Sequence, residues 1–271
     1  MSNAHDDLIS AFGLGITQGV TEFLPISSDG HLALYGLLFH VRESSLVITV
    51  ALHLGTLLAT LIVFRADVTR MLAQLLASAT APRKLVETAD GRLLLRIVVA
   101  SVPTAVIGLL LEHAVEPLSK LPWAIGVGFL GSAVWVLSTR RRENGAEELS
   151  LGAAFLVGAL QGLAVLPGLS RSASTIASAM ALGLTPQAAF RFSFLLSLPA
   201  VAGAALLELG KPGVLAGLPA MAWIGAAVSF FTGIAALLLL RGVLARGRFW
   251  LFGLYLIPLG AAMVLWDVFS R

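Results

Sequence analysis

Two stretches of sequence share a pattern of glycine, glutamine, proline and serine. Residues 15–31 have the sequence GITQGVTEFLPISSDGH, and residues 158–175 have the sequence GALQGLAVLPGLSRSAST. Both place Gly-x-x-Gln-Gly ahead of Leu-Pro and a run of serines, and their Gln-to-Pro spacings differ by one residue. Each lies in an apolar segment, 10–38 or 151–182, that Pro, Gly and Ser interrupt beside charged residues. Irregular backbone at membrane depth is tolerated only where protein or a water-filled cavity surrounds it. We therefore predict that each segment is a re-entrant pair of half-helices.

The composition shows that these segments lie in a membrane protein. Hydrophobic residues make up 58% and charged residues 12% of the 271 residues, against roughly 45–50% and about 25% in soluble domains. The mean hydropathy is +0.92, which excludes a disordered chain, a coiled coil and a soluble globule. The apolar runs are continuous rather than alternating, which favours helices over a β-barrel. With no cysteine, the chain has no disulfide or thiolate chemistry.

Six further apolar stretches have the length of a membrane-spanning helix. They lie near residues 46–64, 93–111, 122–138, 190–208, 221–240 and 250–268. The loops 65–92, 139–150 and 241–249 carry eleven Lys and Arg residues, including Arg141 and Arg142, whereas the opposite loops carry three, Arg42, Lys120 and Lys211. This asymmetry predicts that the basic loops are cytoplasmic and that both termini are outside. It also explains the net charge of +3 without a nucleic-acid partner.

The two broken segments predict an internal repeat. Each broken segment is followed by three spans, so one copy crosses the membrane an odd number of times. The second copy therefore starts on the opposite side and is inverted relative to the first. We predict a single membrane domain, 1–271, with inverted repeats at 10–138 and 151–268, whose broken helices meet near the bilayer midplane. The predicted fold class is therefore an all-α integral membrane protein with six transmembrane helices and two re-entrant broken-helix pairs.

The first break carries the titratable candidates. Gln18 and Glu22 are four residues apart and share a helix face, and an ionisable group in an apolar segment is by default a functional hypothesis. Pro25 ends this half-helix, and Ser27, Ser28 and Asp29 are favoured caps for the next one, which carries His31. His53 lies in the following span, where a supporting role at the site and simple packing are equally compatible with the sequence.

The second break carries anion-binding groups. Ser170 and Ser172 surround Arg171, and Thr175 shares the helix face of Arg171. Helix N-termini and Arg hold phosphate oxygens, whereas Glu22 and His31 suit acid–base chemistry or a divalent ion. The combination indicates phosphoryl transfer or hydrolysis at the membrane. Two simpler interpretations are that Arg171 only pairs with Glu22 and that His31 only caps its helix.

The motifs at Gln18–His31 and Pro167–Thr175 resemble the two signatures of the undecaprenyl-pyrophosphate phosphatases, a family associated with bacitracin resistance. The resemblance extends to His53-Leu54-Gly55-Thr56 and along essentially the whole chain. It implies hydrolysis of the C55 isoprenoid pyrophosphate to the carrier monophosphate used in peptidoglycan synthesis. It also implies an inverted-repeat fold, divalent-cation dependence and a set of essential residues: Glu22, Ser27, Ser28, His31, Ser170, Arg171 and Thr175. Relatives have Glu or Gln where this chain has Gln18.

These observations lead to specific expectations for the site. Arg171 and the helix N-termini clamp the pyrophosphate of a polyprenyl lipid, with Gln18, Ser170, Ser172 and Thr175 as further substrate-binding residues, and Mg²⁺ or Ca²⁺ binds near Glu22. The attacking group is Ser27 or Ser28 with His31 as base, or His31 activates water or attacks itself. The rival function is a polyprenyl-phosphate flippase, because transporters share this architecture.

The sequence also leads to expectations about location. We expect the protein in the bacterial inner membrane, surrounded by lipid. Glu22 and His31 need water for proton exchange, whereas Arg171 acts while buried, so we expect a cavity that opens to the outer face. A homodimer is compatible with the sequence, although no feature of the sequence indicates one.

Overall fold

The structure, a computed structural model, describes residues 4–39, 46–140, 145–211, 214 and 219–269. Within these ranges the chain is helical, and an isolated bridge between Ala146 and Leu184 is the only β-type pairing. The prediction of an all-α fold is thus confirmed. The helices are α1 (Ala4–Phe23), α2 (Ser28–Phe39), α3 (Leu46–Val63), α4 (Arg65–Thr80), α5 (Lys84–Glu87), α6 (Ala89–Ser119), α7 (Pro122–Leu137), α8 (Leu151–Leu163), α9 (Arg171–Ala181), α10 (Pro186–Leu209), α11 (Ala220–Ala245) and α12 (Leu251–Phe269).

Several of these helices can cross a bilayer. A helix lies at each of the six predicted spans, and in the described chain α6, α10, α11 and α12 are long and apolar enough to cross alone. Helix α3 is long and apolar enough to cross only together with α4, from which an 82° bend separates it. Helices α7 and α8 are shorter apolar helices. The described residues therefore contain four candidate membrane spans, or five if the bent pair counts as one, as expected of a multi-pass helical membrane protein.

Three regions are more helical than the sequence suggested. The predicted 112–121 loop belongs mostly to α6, whose final turn is supported by a 2.9 Å ion pair between Lys120 Nζ and Glu116 Oε1, an i,i+4 contact. The basic 65–92 loop contains α4 and α5. Helix α1 begins at Ala4, before the predicted start at residue 10, because no proline interrupts the chain before Phe23. Arg42, Arg141 and Arg142, which were counted in the topology prediction, lie outside the described residues.

Both predicted breaks are present. Between α1 and α2, Ser27 has φ 68°, a left-handed conformation that is uncommon for a non-glycine residue. Between α8 and α9, Gly168 has φ +81°, in close contact with the backbone of α7. A Cβ at residue 168 would collide with the carbonyl oxygen of Ile125. Helices α8 and α9, with 13 and 11 residues, are about 20 and 16 Å long, so each is too short to cross a hydrocarbon layer of about 30 Å.

The two ends of the second broken segment lie side by side. Ala146 N–H donates to Gly183 O at 2.7 Å, and Thr185 N–H donates to Ala146 O at 3.0 Å, which joins the chain before α8 to the chain after α9. Beside this junction, Glu148 pairs with Arg92 and Arg96 at the start of α6. Arg92, followed by the charge of Arg96, holds the pKa of the Glu148 carboxyl below its ordinary value.

The packing places the breaks at the centre of the molecule. Helix α1 packs along α11, α8 along α6, α3 along α11, and α7 along α12. Helix α9 contacts α7, α8 and α10, and every residue from Ser172 to Met180 is buried. The ring of Phe23, at the end of α1, packs 5.7 Å from that of Phe194 on α10. The site described next therefore rests on fully packed helices.

Candidate active site

A buried carboxylate lies at the centre of the site. Arg171 Nη2 donates to Glu22 Oε1 at 2.5 Å, and Ser28 Oγ donates to Glu22 Oε2 at 2.6 Å. Gln18 Nε2 donates to the same Oε2 at 3.1 Å. The Glu22 side chain is only 8% exposed, and burial of a charge at this depth requires such pairing and hydrogen bonding. Four predicted site residues are thus in direct contact.

The helix breaks explain this convergence. Gln18 and Glu22 lie one turn apart at the end of α1, whereas Ser28 and Arg171 are the first residues of α2 and α9. Two helix N-termini therefore meet the end of α1, and each leaves unpaired N–H groups and the positive end of its dipole near the carboxylate. Ser172 Oγ ties the breaks together by donating to Leu24 O at 3.2 Å. This arrangement suits an anion with several oxygens.

The hydroxyl groups of the second break hold the start of α9. Ser170 caps the helix, because its Oγ accepts from Ala173 N–H at 3.2 Å, and its N–H donates to Ser132 Oγ at 2.7 Å. Ser172 Oγ lies 3.2 Å from Ser170 Oγ. Thr175 Oγ1 donates to Arg171 O at 2.8 Å and lies 2.5 Å from Ser193 Oγ. In this structure the hydroxyls of Ser170, Ser172 and Thr175 thus bind protein groups and position Arg171.

The structure separates His31 from both serine hydroxyls. His31 Nδ1 lies 2.8 Å from the carbonyl oxygen of Ser27, which makes Nδ1 the protonated nitrogen. Nε2 is then an acceptor, and the Tyr255 hydroxyl donates to it at 2.8 Å. Ser27 Oγ accepts from Gly30 N–H at 3.4 Å. A serine–histidine pair is therefore not formed here, and the contact of Ser28 is with Glu22 instead.

Two polar atoms at the site have unused hydrogen-bonding capacity. Arg171 Nη1 and Gln18 Oε1 are buried and have no hydrogen-bond partner in the described chain. Arg171 and Glu22 line a small cavity together with Phe23, Thr56, Leu57, Thr60, Ser197 and Val201. The hydroxyls of Thr56, Thr60 and Ser197 each donate to a backbone carbonyl of their own helix, so the guanidinium supplies the free donor for an anionic oxygen or water. Thr56 lies in a stretch that resembles the family, but no motif marks Thr60 or Ser197, because polar residues on α3 and α10 meet the break only through packing.

Two further charged or titratable groups lie near the carboxylate. His53 Nε2 is 3.8 Å from Glu22 Oε2, and its Nδ1 donates to Thr49 O at 2.9 Å. His53 therefore contacts the site as well as packing within α3. Asp29 is exposed in the first turn of α2. Within the described ranges, no cluster of three or more His, Asp or Glu residues has the geometry of a metal site.

Comparison with known proteins identifies the family. The family described as bacitracin resistance protein BacA matches residues 11–262. This chain belongs to that family. It is 43% identical over 265 residues to the undecaprenyl-diphosphatase of Desulfosudis oleivorans, with 93% of this chain and 96% of the relative covered. It is 40% identical to the undecaprenyl-diphosphatase of Desulforudis audaxviator, with 93% and 95% covered. It is 37% identical to the undecaprenyl-diphosphatase of Korarchaeum cryptofilum, with 95% and 98% covered. The family resemblance inferred from the motifs is confirmed, and the match includes both breaks.

Proposed function

We propose that this protein hydrolyses undecaprenyl pyrophosphate to undecaprenyl phosphate and inorganic phosphate. The observation that carries this proposal is the contact of Ser28 and Arg171 with Glu22 at two helix N-termini, in a chain whose relatives are named undecaprenyl-diphosphatases. The reaction returns the carrier lipid to peptidoglycan synthesis, and it lowers the amount of pyrophosphate lipid, in keeping with bacitracin resistance.

Ser28 is the nucleophile in this proposal. Its hydroxyl already donates to the Glu22 carboxylate at 2.6 Å, which is the contact a nucleophile needs with its base. Ser28 Oγ attacks the terminal phosphorus, its proton passes to Glu22, and the bond to the bridging oxygen breaks, which releases undecaprenyl phosphate. Water then attacks the phosphoserine and gives a proton to His31, the bond between phosphorus and Ser28 Oγ breaks, Oγ takes its proton back from Glu22, and inorganic phosphate leaves. Arg171 Nη1, buried and free of protein partners within the described ranges, binds a phosphate oxygen as charge redistributes.

His31 serves the second step. Its Nε2 is the acceptor nitrogen, so it can take a proton from the attacking water if that water replaces the Tyr255 hydroxyl. The hydroxyl-rich start of α9, with Ser170, Ser172 and Thr175, keeps Arg171 in place for both steps. In this proposal Ser28 is therefore the attacking group, and His31 is the base of the second step.

The residues at the first break fit a divalent cation carried by the substrate. Gln18 Oε1 is a buried carbonyl oxygen with no hydrogen-bond partner in the described chain, next to the carboxylate of Glu22. Mg²⁺ and Ca²⁺ take carboxylate and carbonyl oxygens, and Mg²⁺ sites commonly combine one or two carboxylates with substrate phosphates. Glu22 and Gln18 would hold such an ion, which would neutralise charge on the pyrophosphate.

We also propose the finer architecture expected from the motifs. Helix α1 of the first half packs along α11 of the second half, and the equivalent helix α8 of the second half packs along α6 of the first. The two halves thus make equivalent contacts with each other, which supports inverted repeats at 10–138 and 151–268. The joined ends of the second broken segment support its re-entrant path. The proposal also includes six spans, a cavity open to the outer face and a location in the bacterial inner membrane, and the alternation of the basic loops supports the first two. The homodimer stays a prediction.

The test uses purified protein in detergent with undecaprenyl pyrophosphate. We expect phosphate release that Ser28→Ala lowers at least about 1,000-fold, and a trapped phosphoserine at position 28 by mass spectrometry. Ser27→Gly is the matched control, because glycine accepts the left-handed backbone at residue 27 without strain, and we expect activity within about tenfold of the parent. Lipid transfer across vesicles without phosphate release would contradict the proposal and support the flippase.

A further inference from the structure

The His31 ring is held by groups from three other parts of the chain. Its Nδ1 donates to the carbonyl oxygen of Ser27 at 2.8 Å, and its Nε2 accepts from the Tyr255 hydroxyl at 2.8 Å. The edge of the Phe129 ring packs at a centroid distance of 5.2 Å and 61°. With both nitrogens bonded and one face packed, the ring has a fixed tautomer and a fixed orientation.

Tyr255 reaches His31 from the far end of the chain. It lies on α12, 224 residues after His31, and the two ring planes are inclined by only 17° at a centroid separation of 5.8 Å. Helix α12 packs along α7, which carries the fully buried Phe129. The pair of helices α7 and α12 thus supplies two of the three contacts that hold the His31 ring. No sequence motif marks Tyr255, since its partner is distant in the chain.

We propose that Tyr255 is a positioning residue for His31, an inference that rests on the proposed phosphatase function. The hydroxyl holds Nε2 as the acceptor nitrogen in the substrate-free protein, in the way that a third group orients the base of a catalytic triad. Water that reaches Nε2 then meets a ring that is already in the tautomer and orientation needed to accept its proton. Tyr255 therefore affects the rate of the chemical steps more than the binding of the lipid.

The hydrogen bond itself can be tested without enzyme activity. The chain has two tyrosines, Tyr35 and Tyr255, so protein with Tyr35→Phe and ζ-¹³C tyrosine gives a single NMR signal from the Tyr255 phenol carbon. We expect His31→Phe, which keeps a ring and removes the acceptor, to move this signal by more than its linewidth. His113→Phe, the same change at an exposed position on α6, is the control and should leave it in place. A Tyr255 signal unaffected by His31→Phe overturns the inference.

The catalytic consequence is tested by steady-state kinetics on undecaprenyl pyrophosphate. We expect Tyr255→Phe, which keeps the ring and removes the hydroxyl, to lower kcat about tenfold with KM within about twofold. Tyr35→Phe, the matched control, should leave both constants within about twofold. An unchanged kcat in Tyr255→Phe overturns the positioning role. If the parent protein releases no phosphate, the proposed function fails, whereas the NMR response still decides whether Tyr255 holds His31.

Discussion

The two terminal nitrogens of Arg171 have different roles. Its Nη2 is committed to Glu22, while its Nη1 is buried and unpartnered among the described residues. Its Cζ also lies 6.0 Å from the centroid of the Phe194 ring, which supports the guanidinium plane. An arginine used only as an ion-pair partner for Glu22 would not need a second nitrogen at the cavity. The guanidinium thus links the carboxylate to the position where an anion would bind.

Replacing the guanidinium, which has two terminal nitrogens, by a single ammonium group tests both roles of Arg171. Arg171→Lys keeps the charge but offers one donor centre in place of two, so we expect kcat/KM on undecaprenyl pyrophosphate to fall at least about tenfold, or roughly 1.4 kcal/mol. Arg191→Lys is a suitable control, since Arg191 pairs with Asp67 away from the break, and it should remain within about twofold. Near-parental activity of Arg171→Lys would remove the guanidinium from the anion site.

Gln18 is the residue at which cation dependence can be changed. Gln18→Glu places a second carboxylate beside Glu22, and two adjacent carboxylates repel unless a proton or a cation is shared. We expect Gln18→Glu to remain active, to depend more strictly on the cation, and to reach half-maximal rate at a lower concentration of Mg²⁺ or Ca²⁺. Gln18→Ala should cost less activity than Glu22→Ala. Gln161→Ala, the corresponding glutamine at the second break, bonded to Thr104, is the control and should not alter the ion requirement. Equal, complete loss in Gln18→Ala and Glu22→Ala would show that Gln18 takes part in catalysis directly.

At the scale of elements, the breaks depend on backbone conformations that few residues adopt. Gly168 has φ +81° and approaches the backbone of α7. The Ser132 hydroxyl bridges this turn to α9, since it donates to Gly168 O and accepts from Ser170 N–H. A shift of the turn therefore moves the start of α9 and Arg171 with it.

Gly168→Ala should consequently lower both stability and activity. A left-handed alanine costs about 1–3 kcal/mol, which corresponds to a Tm lower by roughly 2–10 °C, before the collision with Ile125 is added. Gly203→Ala provides the comparison, because Gly203 lies inside α10 with open space around its Cβ position. That variant should have a Tm equal to or above that of the parent. Thermal unfolding in detergent measures the Tm of both variants. A Gly168→Ala protein with the same Tm as the parent would contradict the tight turn.

The accuracy of the sequence-based predictions differs between kinds of element. Pro25 and the Pro167–Gly168 pair mark both breaks, because proline and left-handed glycine act locally. The long helices follow from hydropathy in the same way. The helical character of residues 65–92 and 112–121 was missed, because charged residues there indicated loops, although their side chains pair along helices. Tyr255, Thr60 and Ser197 were missed for a different reason, because their contacts with the site arise from tertiary packing between distant helices.

The orientation of the whole molecule in the membrane is tested by labelling of single cysteines. We expect single cysteines in place of Asp29 and Lys120 to react with an impermeant maleimide added to intact spheroplasts, because both positions are exposed on the predicted outer side. Cysteines in place of the exposed Arg83 and Arg246 lie on predicted cytoplasmic segments and should react only after lysis. The parent has no cysteine and is the blank. The reverse labelling pattern would overturn the orientation and the outward-open cavity.

The pairing of Glu22 with Arg171 limits how alike the two halves of the chain can be. One partner comes from each break, so the ion pair requires the two halves to differ. Two identical copies of either half, related by a twofold axis, would set carboxylate against carboxylate or guanidinium against guanidinium at the midplane. Like charges buried together cannot both remain ionised without a counter-ion. A dimer of two identical halves would therefore need a bound counter-ion at this point, a charge that the Arg171 side chain supplies here from within the chain.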